Sequence, residues 1–185
     1  MGQADQRTNI HQSELDRGWS PDFSWLADDL AVGGSFPAER AVELAHVHRI
    51  GAVIDLRGED CDDPAKLQAA GIEFLHLPTP DLEPASVEML DEGVAFARRH
   101  AERGARILIH CEHGIGRSAL LALCVLVDRG LQPIDALRHA KDCRERVSPS
   151  RSQYEGWVRW LAAREASAPD YHEFGCIAYR HLAAG

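Results

Sequence analysis

The chain has no excess of positive charge and no regular pairing of its cysteines. Of its 185 residues, 20 are Lys or Arg and 29 are Asp or Glu, so its formal net charge is −9. Broad contact with nucleic acid or with an anionic membrane needs a basic surface, and the composition supports neither partner. Five cysteines without regular spacing do not form a disulfide framework and favour a reducing, cytoplasmic compartment.

Long apolar runs are also missing. The longest run, residues 119–127, is far shorter than the roughly 20 residues of a membrane-spanning helix and fits a buried helix better. Residues 1–16 are polar and lack the apolar stretch of a secretory signal. We therefore expect no membrane insertion, whereas nothing in the pattern fixes an oligomeric state.

From residue 19 onward, short β-like runs alternate with longer helical ones. Strands are predicted at residues 30–32, 52–56, 73–77 and 106–109, and helices at residues 37–50, 64–70, 85–103, 119–127, 133–146 and 150–164. This alternation predicts one α/β domain with a central, mostly parallel sheet of four to five strands flanked by helices. We expect a disordered N-terminal arm at residues 1–18, a folded domain at residues 19–166 and a C-terminal extension at residues 167–185.

The sequence His-Cys-Glu-His-Gly-Ile-Gly-Arg-Ser, residues 110–118, joins a predicted strand to the apolar helix. A loop that enters a helix N-terminus presents backbone N–H groups without helical partners, and together with the helix dipole they form an anion site. Gly114 and Gly116 would supply the backbone freedom that curls such a loop into a nest. The field that binds an anion would also stabilise a thiolate at Cys111.

Cys111 and Arg117 stand where phosphoryl transfer to sulfur needs them. A thiolate can attack phosphorus and form a phosphocysteine, and the planar guanidinium of Arg117 can bind two phosphoryl oxygens. The hydroxyl of Ser118 can donate to the sulfur and assist its release. The predicted phosphate-binding backbone comprises Glu112, His113, Gly114, Ile115, Gly116 and Arg117.

The pattern His-Cys-x-x-Gly-x-x-Arg-Ser resembles the signature of the protein tyrosine phosphatase superfamily, and the modest length resembles its dual-specificity branch. The resemblance covers roughly residues 25–163 and implies a two-step phosphocysteine mechanism without metal or cofactor. It also implies that His110 orders the loop and transfers no proton. A general acid is implied about 30 residues before the cysteine, which selects Asp81, since 111 − 81 = 30. Glu83 is the nearby substitute.

The resemblance implies a phosphorylated substrate but leaves its class open. Relatives that act on inositol lipids often carry Lys in the loop, whereas this chain has Glu112, His113 and Ile115 there. We therefore favour phosphotyrosine, phosphoserine or phosphothreonine proteins. The alternatives are a phospholipid, an inositol phosphate, an RNA 5′-phosphate, a binding module that captures phosphate without turnover, and a sulfurtransferase or arsenate reductase with a similar loop.

Cys61 follows the predicted strand at residues 52–56 and is a candidate redox partner of Cys111. We expect that strand to lie beside the strand that leads to Cys111, which places both cysteines at the C-terminal edge of the sheet. Some members of the resembled family use a second cysteine at a similar separation to form a reversible disulfide. The alternative is that Cys61 is exposed and unreactive in the acidic loop.

Two further groups are interpreted as structural. Asp55 and Arg57, in the sequence Asp-Leu-Arg, are expected to form a buried pair. His110, Cys111 and His113 lack a second cluster of ligand residues, so no metal site is expected.

Overall fold

The computed structural model describes residues 19–182. The predicted N-terminal arm at residues 1–18 and residues 183–185 of the predicted extension lie outside the described residues. Within the described part, five strands form one sheet: β1 (Phe23–Ala27), β2 (Leu30–Gly33), β3 (Ile50–Arg57), β4 (Glu73–Thr79) and β5 (Arg106–His110). Seven α-helices flank it: α1 (Ala41–His46), α2 (Pro64–Ala69), α3 (Val87–Glu102), α4 (Arg117–Asp128), α5 (Pro133–Cys143), α6 (Arg151–Ala162) and α7 (Tyr171–Ala178).

The sheet has the order β1-β2-β5-β3-β4, with β1 antiparallel to β2 and every other pair parallel. The predicted α/β class and mostly parallel sheet are therefore confirmed. Side chains on β5 alternate between two cores because successive residues of a strand point to opposite faces. Ile107 and Ile109 pack beneath α3 to α7, and Leu108 packs beneath α1 and α2. Trp157 and Trp160 on α6 are fully buried in the larger core.

The loops that follow β3 and β5 emerge at the same edge of the sheet. β3 pairs directly with β5, and Asp55 lies opposite His110 in the register. The predicted neighbourhood of these two strands is confirmed. Because β5 lies in the middle of the sheet, the residues after it rest on a buried scaffold.

Several element boundaries differ from the prediction. The expected helix at residues 37–50 divides into a 3-10 turn (Ala38–Arg40) and the short helix α1, and Ile50 already belongs to β3. Arg49 adopts a left-handed φ of 59°, which L-residues rarely do and which cannot continue a helix. β1 was not predicted. In the C-terminal part, α7 is a helix whose Phe174 and Ala178 are fully buried in the larger core.

Between residues 19 and 182, no helix is both long enough and apolar enough to span a membrane.

Candidate active site

The loop between β5 and α4, residues 111–116, is called the phosphate loop below. Cys111 begins it and is 3% exposed, and Ser118 in the first turn of α4 is fully buried. Cys111 Sγ and Ser118 Oγ lie 3.3 Å apart, which is hydrogen-bond distance for a sulfur atom. α4 starts at Arg117, so the N–H groups of its first turn lack helical acceptors. The predicted strand-loop-helix geometry is therefore present.

The two glycines of the phosphate loop are required for different reasons. Gly114 has a φ of +64°, and a Cβ there would lie 2.4 Å from the carbonyl carbon of Gly33, so both its backbone and its space exclude a side chain. Gly116 has a φ of −114° and does not use the conformational freedom that the sequence suggested. A Cβ there would lie 2.5 Å from Gln153 Oε1. A side chain at Gly116 would therefore displace the amide of Gln153, whose Oε1 accepts a hydrogen bond from Ser150 N.

Arg144, which follows α5, donates hydrogen bonds to the backbone of the phosphate loop. Its Nε donates to Gly114 O at 2.9 Å, and its Nη2 donates to His113 O at 3.1 Å. The same Nη2 contacts the carboxylate of Asp22 at 2.9 Å. Because Arg144 is buried, these bonds fix two loop carbonyls away from the pocket.

The guanidinium of Arg117 contacts three groups at the rim of the pocket. Nη1 and Nη2 donate to the two carboxylate oxygens of Glu59 at 2.6 and 2.8 Å, and Nη1 also donates to Thr79 O at 3.0 Å. Nη2 lies 3.3 Å from Asp81 Oδ1. Nε is buried and has no hydrogen-bond partner among the described residues. One N–H of the arginine thus lacks an acceptor in the described part of the chain.

Arg117 and Glu59 stabilise each other's charge. The hydrogen bonds from Arg117 lower the pKa of Glu59 to about 2. Burial opposes the charge on Arg117, but Glu59, Cys111 and Asp81 raise its pKa above the usual range. Glu59 is therefore ionised at neutral pH.

Asp81 lies in the loop between β4 and α3, residues 80–86, called the acid loop below. Its side chain is 68% exposed and contacts Arg117. The neighbouring Leu82 adopts a left-handed φ of 63°, and its carbonyl accepts a hydrogen bond from Ser150 Oγ at 2.6 Å. The side chain of Glu83 accepts instead from Ser152 Oγ on α6 at 2.8 Å. The structure thus brings Asp81, and not Glu83, to Arg117.

These side chains surround a pocket of about 130 Å³. Its lining includes Asp81, Cys111, His113, Ile115, Arg117 and Gln153. A larger hollow of about 470 Å³ lies against α7 and contains none of them. The smaller pocket is therefore the one that combines a nucleophile, a cation and a carboxylate.

His110 is fully buried beneath the phosphate loop. Its Nε2 lies 2.7 Å from Asp62 Oδ2, and its Nδ1 lies 3.4 Å from Cys111 O. Asp62 also accepts from Arg57 at 2.6 Å, and Arg57 binds both oxygens of Asp55. The expected buried pair of Asp55 and Arg57 is present. Burial opposes ionisation of Asp55, but the hydrogen bonds and the charge of Arg57, together with the neighbouring His110, outweigh it and lower the pKa of Asp55.

Two groups of three ligand-type side chains occur near this network. Their members are Asp55, Cys61 and His76 in one group, and Asp55, Asp62 and His110 in the other. Both groups share Asp55, whose two oxygens already accept hydrogen bonds from the guanidinium of Arg57. A metal ion bound there would meet that positive charge at short range, so these residues fit a cation poorly.

Cys61 is exposed, and its Sγ donates to Asp62 O at 3.3 Å. Partial burial, with the negative charges of Asp55 and Asp62, raises the pKa of its thiol. The side chain of Asp62 contacts His110, the residue that precedes Cys111. Asp62 thus connects Cys61 to the residue that precedes the phosphate loop. Cys61 and Cys111 are both free thiols.

Sequence reasoning missed Glu59, Arg144 and Gln153. Glu59 gave the clearest signal, because it follows β3, and β3 was expected to end beside the loop of Cys111. Arg144 and Gln153 reach the loop from distant helices, and no local pattern marks them.

Known proteins resemble this chain in both sequence and structure. The model of the dual specificity phosphatase catalytic domain matches residues 34–162. Dual specificity protein phosphatase 8 from Mus musculus is 30% identical over 87 residues, which cover 43% of this chain and 13% of that protein. The phosphatidylglycerophosphate phosphatase PTPMT2 from Arabidopsis thaliana is 29% identical over 137 residues, which cover 71% of this chain and 60% of that protein. The chain thus spans less than two thirds of either relative.

The crystal structure of Tk-PTP in its active form superposes with a TM-score of 0.71 at 26% identity, covering 78% of this chain and 99% of that one. The matched family domain spans more than half of the chain and contains Cys111, Arg117 and Asp81. The chain therefore belongs to the dual specificity phosphatase catalytic-domain family.

Proposed function

We propose that this chain hydrolyses phosphate monoesters through a covalent phosphocysteine at Cys111. One observation carries the proposal: Cys111 Sγ lies 3.3 Å from Ser118 Oγ, in the same small pocket as the guanidinium of Arg117. A nucleophile beside a hydroxyl donor and a fixed cation is what displacement at phosphorus and later release of sulfur need. This arrangement supports turnover rather than a module that only captures phosphate.

In the first step, the thiolate of Cys111 attacks phosphorus, an S–P bond forms and the P–O bond to the leaving group breaks. Asp81 donates its proton to the leaving oxygen. In the second step, Asp81 takes a proton from water, whose oxygen attacks phosphorus while the S–P bond breaks. The sulfur leaves as a thiolate, and the hydroxyl of Ser118 stabilises it by donating a hydrogen bond. Inorganic phosphate is released.

Arg117 has five N–H donors, and the structure limits how it can bind the phosphoryl group. Two of them donate hydrogen bonds to Glu59, and one donates a hydrogen bond to Thr79 O. We infer that the phosphoryl oxygens take the Nε–H and the Nη2–H that faces Asp81. Binding along this edge would release Asp81 from Arg117. Glu59 would still accept hydrogen bonds from Nη1 and Nη2 and would keep the guanidinium oriented.

For the substrate class we propose phosphorylated proteins, and the charges at the pocket rim support this choice. The side chains of Glu59, Asp81 and Glu112 are 47%, 68% and 44% exposed. Asp81 lines the pocket, Glu59 contacts Arg117, and Glu112 belongs to the phosphate loop. Carboxylates at these positions disfavour ligands that carry several more negative charges. A single phosphorylated side chain is the ligand with the smallest excess of negative charge.

A phospholipid is the second candidate. The relative PTPMT2 is named a phosphatidylglycerophosphate phosphatase, and Leu82, 64% exposed, lies at the mouth of the pocket beside Asp81. An exposed leucine there could contact an acyl chain. A panel of phosphopeptides, phosphatidylglycerophosphate and phosphoinositides in micelles, and RNA with a 5′-phosphate would separate the substrate classes.

The chemistry itself is tested with an aryl phosphate. Cys111→Ser should abolish turnover while the fold is kept, and Cys143→Ser, an exposed cysteine at the end of α5, should retain wild-type activity as the control. Arg117→Lys should lose most of its activity, because a point charge cannot replace the planar guanidinium. A metal chelator should leave activity unchanged. Substantial turnover by Cys111→Ser would refute the proposal.

We also propose a reducing, cytoplasmic compartment. This proposal is supported by the five free thiols in the described part of the chain.

A further inference from the structure

The chain continues beyond the matched family domain and packs back onto it. The family match ends at residue 162, whereas α7 and a 3-10 turn (Arg180–Leu182) follow. We call residues 171–182 the C-terminal segment. It reaches the neighbourhood of the active site at one short stretch, residues 147–150, between α5 and α6.

Lys141 on α5 joins the C-terminal segment to this stretch. Its Nζ donates to Val147 O at 2.9 Å, to Ala178 O at 2.7 Å and to His181 Nδ1 at 2.7 Å. An ammonium group has three N–H donors, and all three find acceptors although Lys141 is fully buried. Three satisfied hydrogen bonds offset the cost of burying the charge.

The charge state of Lys141 is consistent with this role. Burial, together with the nearby Arg180, lowers the pKa of Lys141 to about 8, while Glu145 acts in the opposite direction. His181 faces it through Nδ1. At neutral pH the group is therefore still an ammonium and can donate all three hydrogen bonds.

Tyr179 makes a second connection from the C-terminal segment. Its hydroxyl donates to Pro149 O at 2.8 Å. Lys141 and Tyr179 thus bind the carbonyls of Val147 and Pro149, on either side of Ser148. The backbone of this stretch is fixed at two points.

The same stretch contacts both functional loops. Ser148 N donates to Ile115 O in the phosphate loop at 2.9 Å. Ser150 Oγ donates to Leu82 O in the acid loop at 2.6 Å. Residues 147–150 are therefore the common support of the loop that carries Cys111 and the loop that carries Asp81.

We propose that Lys141 and Tyr179 are positioning residues of the active site, because they fix the stretch that holds both functional loops. The inference rests on the proposed phosphatase reaction and extends it to a part of the chain outside the family domain. Small displacements of a phosphate-binding loop reduce catalysis strongly, since the transition state needs all groups in place at once. The rival interpretation is that both residues only stabilise the fold.

The test uses the full chain and two variants, Tyr179→Phe and Lys141→Met. The control is Arg138→Gln, which loosens α5 from the far end of the C-terminal segment at Glu173 and does not touch residues 147–150. We would measure kcat/KM with an aryl phosphate. We would also measure how inorganic phosphate protects Cys111 from iodoacetamide, by mass spectrometry of the Cys111 peptide, which needs no turnover.

Tyr179→Phe should lower kcat/KM about three- to tenfold and weaken phosphate protection in parallel, and Lys141→Met should do so more strongly. Arg138→Gln should remain within about twofold of wild type, as expected of an exposed ion pair. If both variants lower Tm but keep wild-type kcat/KM and phosphate protection well below Tm, the positioning role is refuted.

The following outcomes keep the test decisive. If Lys141→Met fails to fold, Tyr179→Phe, which removes a single oxygen atom, carries the decision alone. If wild type shows phosphate protection but no phosphatase activity, the proposed function fails, and the protection assay still decides the positioning role. If phosphate does not protect wild-type Cys111 but turnover is observed, kcat/KM of the variants decides the positioning role. If neither protection nor turnover is observed, both proposals are refuted.

Discussion

The two carboxylate oxygens of Glu59 accept hydrogen bonds from the two terminal nitrogens of Arg117, at 2.6 and 2.8 Å. This pair fixes the orientation of the guanidinium, whose Nε is buried and has no hydrogen-bond partner among the described residues. Glu59 lies in the loop after β3, and Arg117 lies in the first turn of α4. Their contact therefore joins two separate elements of the proposed active site.

Glu59→Gln should lower kcat/KM about ten- to hundredfold, the effect of losing a charge-assisted hydrogen bond. The amide of Gln would turn a donor towards one nitrogen of Arg117 and would loosen its orientation. The fold should be retained, because Glu59 is half-exposed. Steady-state kinetics with an aryl phosphate would measure the effect. Asp60→Asn is the control, since Asp60 binds Arg57 and not Arg117. Equal activities of the two variants would contradict the role of Glu59.

The low pKa of Glu59 predicts a pH dependence of stability. The folded value is about 2 and the ordinary value is 4.5, so the stabilisation is complete above the ordinary value and is lost as pH falls from 4.5 towards 2. Urea unfolding of wild type and Glu59→Gln at several pH values in this window would measure it. The stability difference between them should shrink as pH falls. A constant difference would show that the ion pair does not form in solution.

Asp81→Asn should lower kcat about 10²- to 10⁴-fold when the leaving group is a poor one, because the proton donor is lost. The loss should be smaller with a leaving group that needs no proton, and the basic limb of the pH–rate profile should flatten. Glu83→Gln is the matched control in the same loop, since Glu83 is directed towards Ser152. A flattened profile in Glu83→Gln instead would move the acid role there.

Arg144→Met should destabilise the protein and lower kcat/KM together. It would leave Gly114 O and His113 O without their donors, at a cost of about 1–3 kcal/mol for each carbonyl. Urea unfolding and kinetics with an aryl phosphate would measure the two effects. Arg146→Met is the control, because the exposed Arg146 contacts only the far oxygen of Asp22. Unchanged kinetics in Arg144→Met would show that the phosphate loop holds its shape without this support.

Mild oxidation should join Cys61 to Cys111 in a reversible disulfide. A sulfenic acid at Cys111 would react with the Cys61 thiol, release water and form the S–S bond, which a thiol reductant would reverse. Mass spectrometry of a non-reduced digest after peroxide treatment would detect the crosslink. Cys61→Ser should lose the recovery of activity by thiol. Overoxidised Cys111 beside free Cys61 in wild type would refute the pairing, whose geometry needs Cα atoms within about 7 Å.

The proposed nucleophile and the loop that carries it could be predicted from sequence because they are local. The residues from His110 to Ser118 are consecutive, and their order alone implies a strand, a loop and a helix. Asp81 was identified through a family resemblance, and its place beside Arg117 agrees with that choice. Candidate residues that are consecutive, or that lie at a fixed spacing from a motif, can therefore be predicted from the sequence.

The supports of the site could not be predicted because they are long-range. Glu59 lies 58 residues from Arg117 in the chain, and Arg144 lies 30 residues from Gly114. The predicted end of β3 indicates the neighbourhood of Glu59, but Asp60, Asp62 and Asp63 lie in the same loop, and no pattern selects the carboxylate that reaches Arg117. The end of α1 was missed for another reason, because the left-handed backbone of Arg49 carries no signal in the residue type.

The contact between Gly33 and Gly114 has a mechanical consequence. The two backbones meet without a side chain between them, and a Cβ on Gly114 would lie 2.4 Å from the carbonyl carbon of Gly33. Side chains deform by changing rotamer, whereas two peptide planes in contact have little compliance. A side chain at Gly114 would therefore have to push the end of β2 outwards, so the spacing between β2 and β5 and the shape of the phosphate loop depend on the same backbone contact.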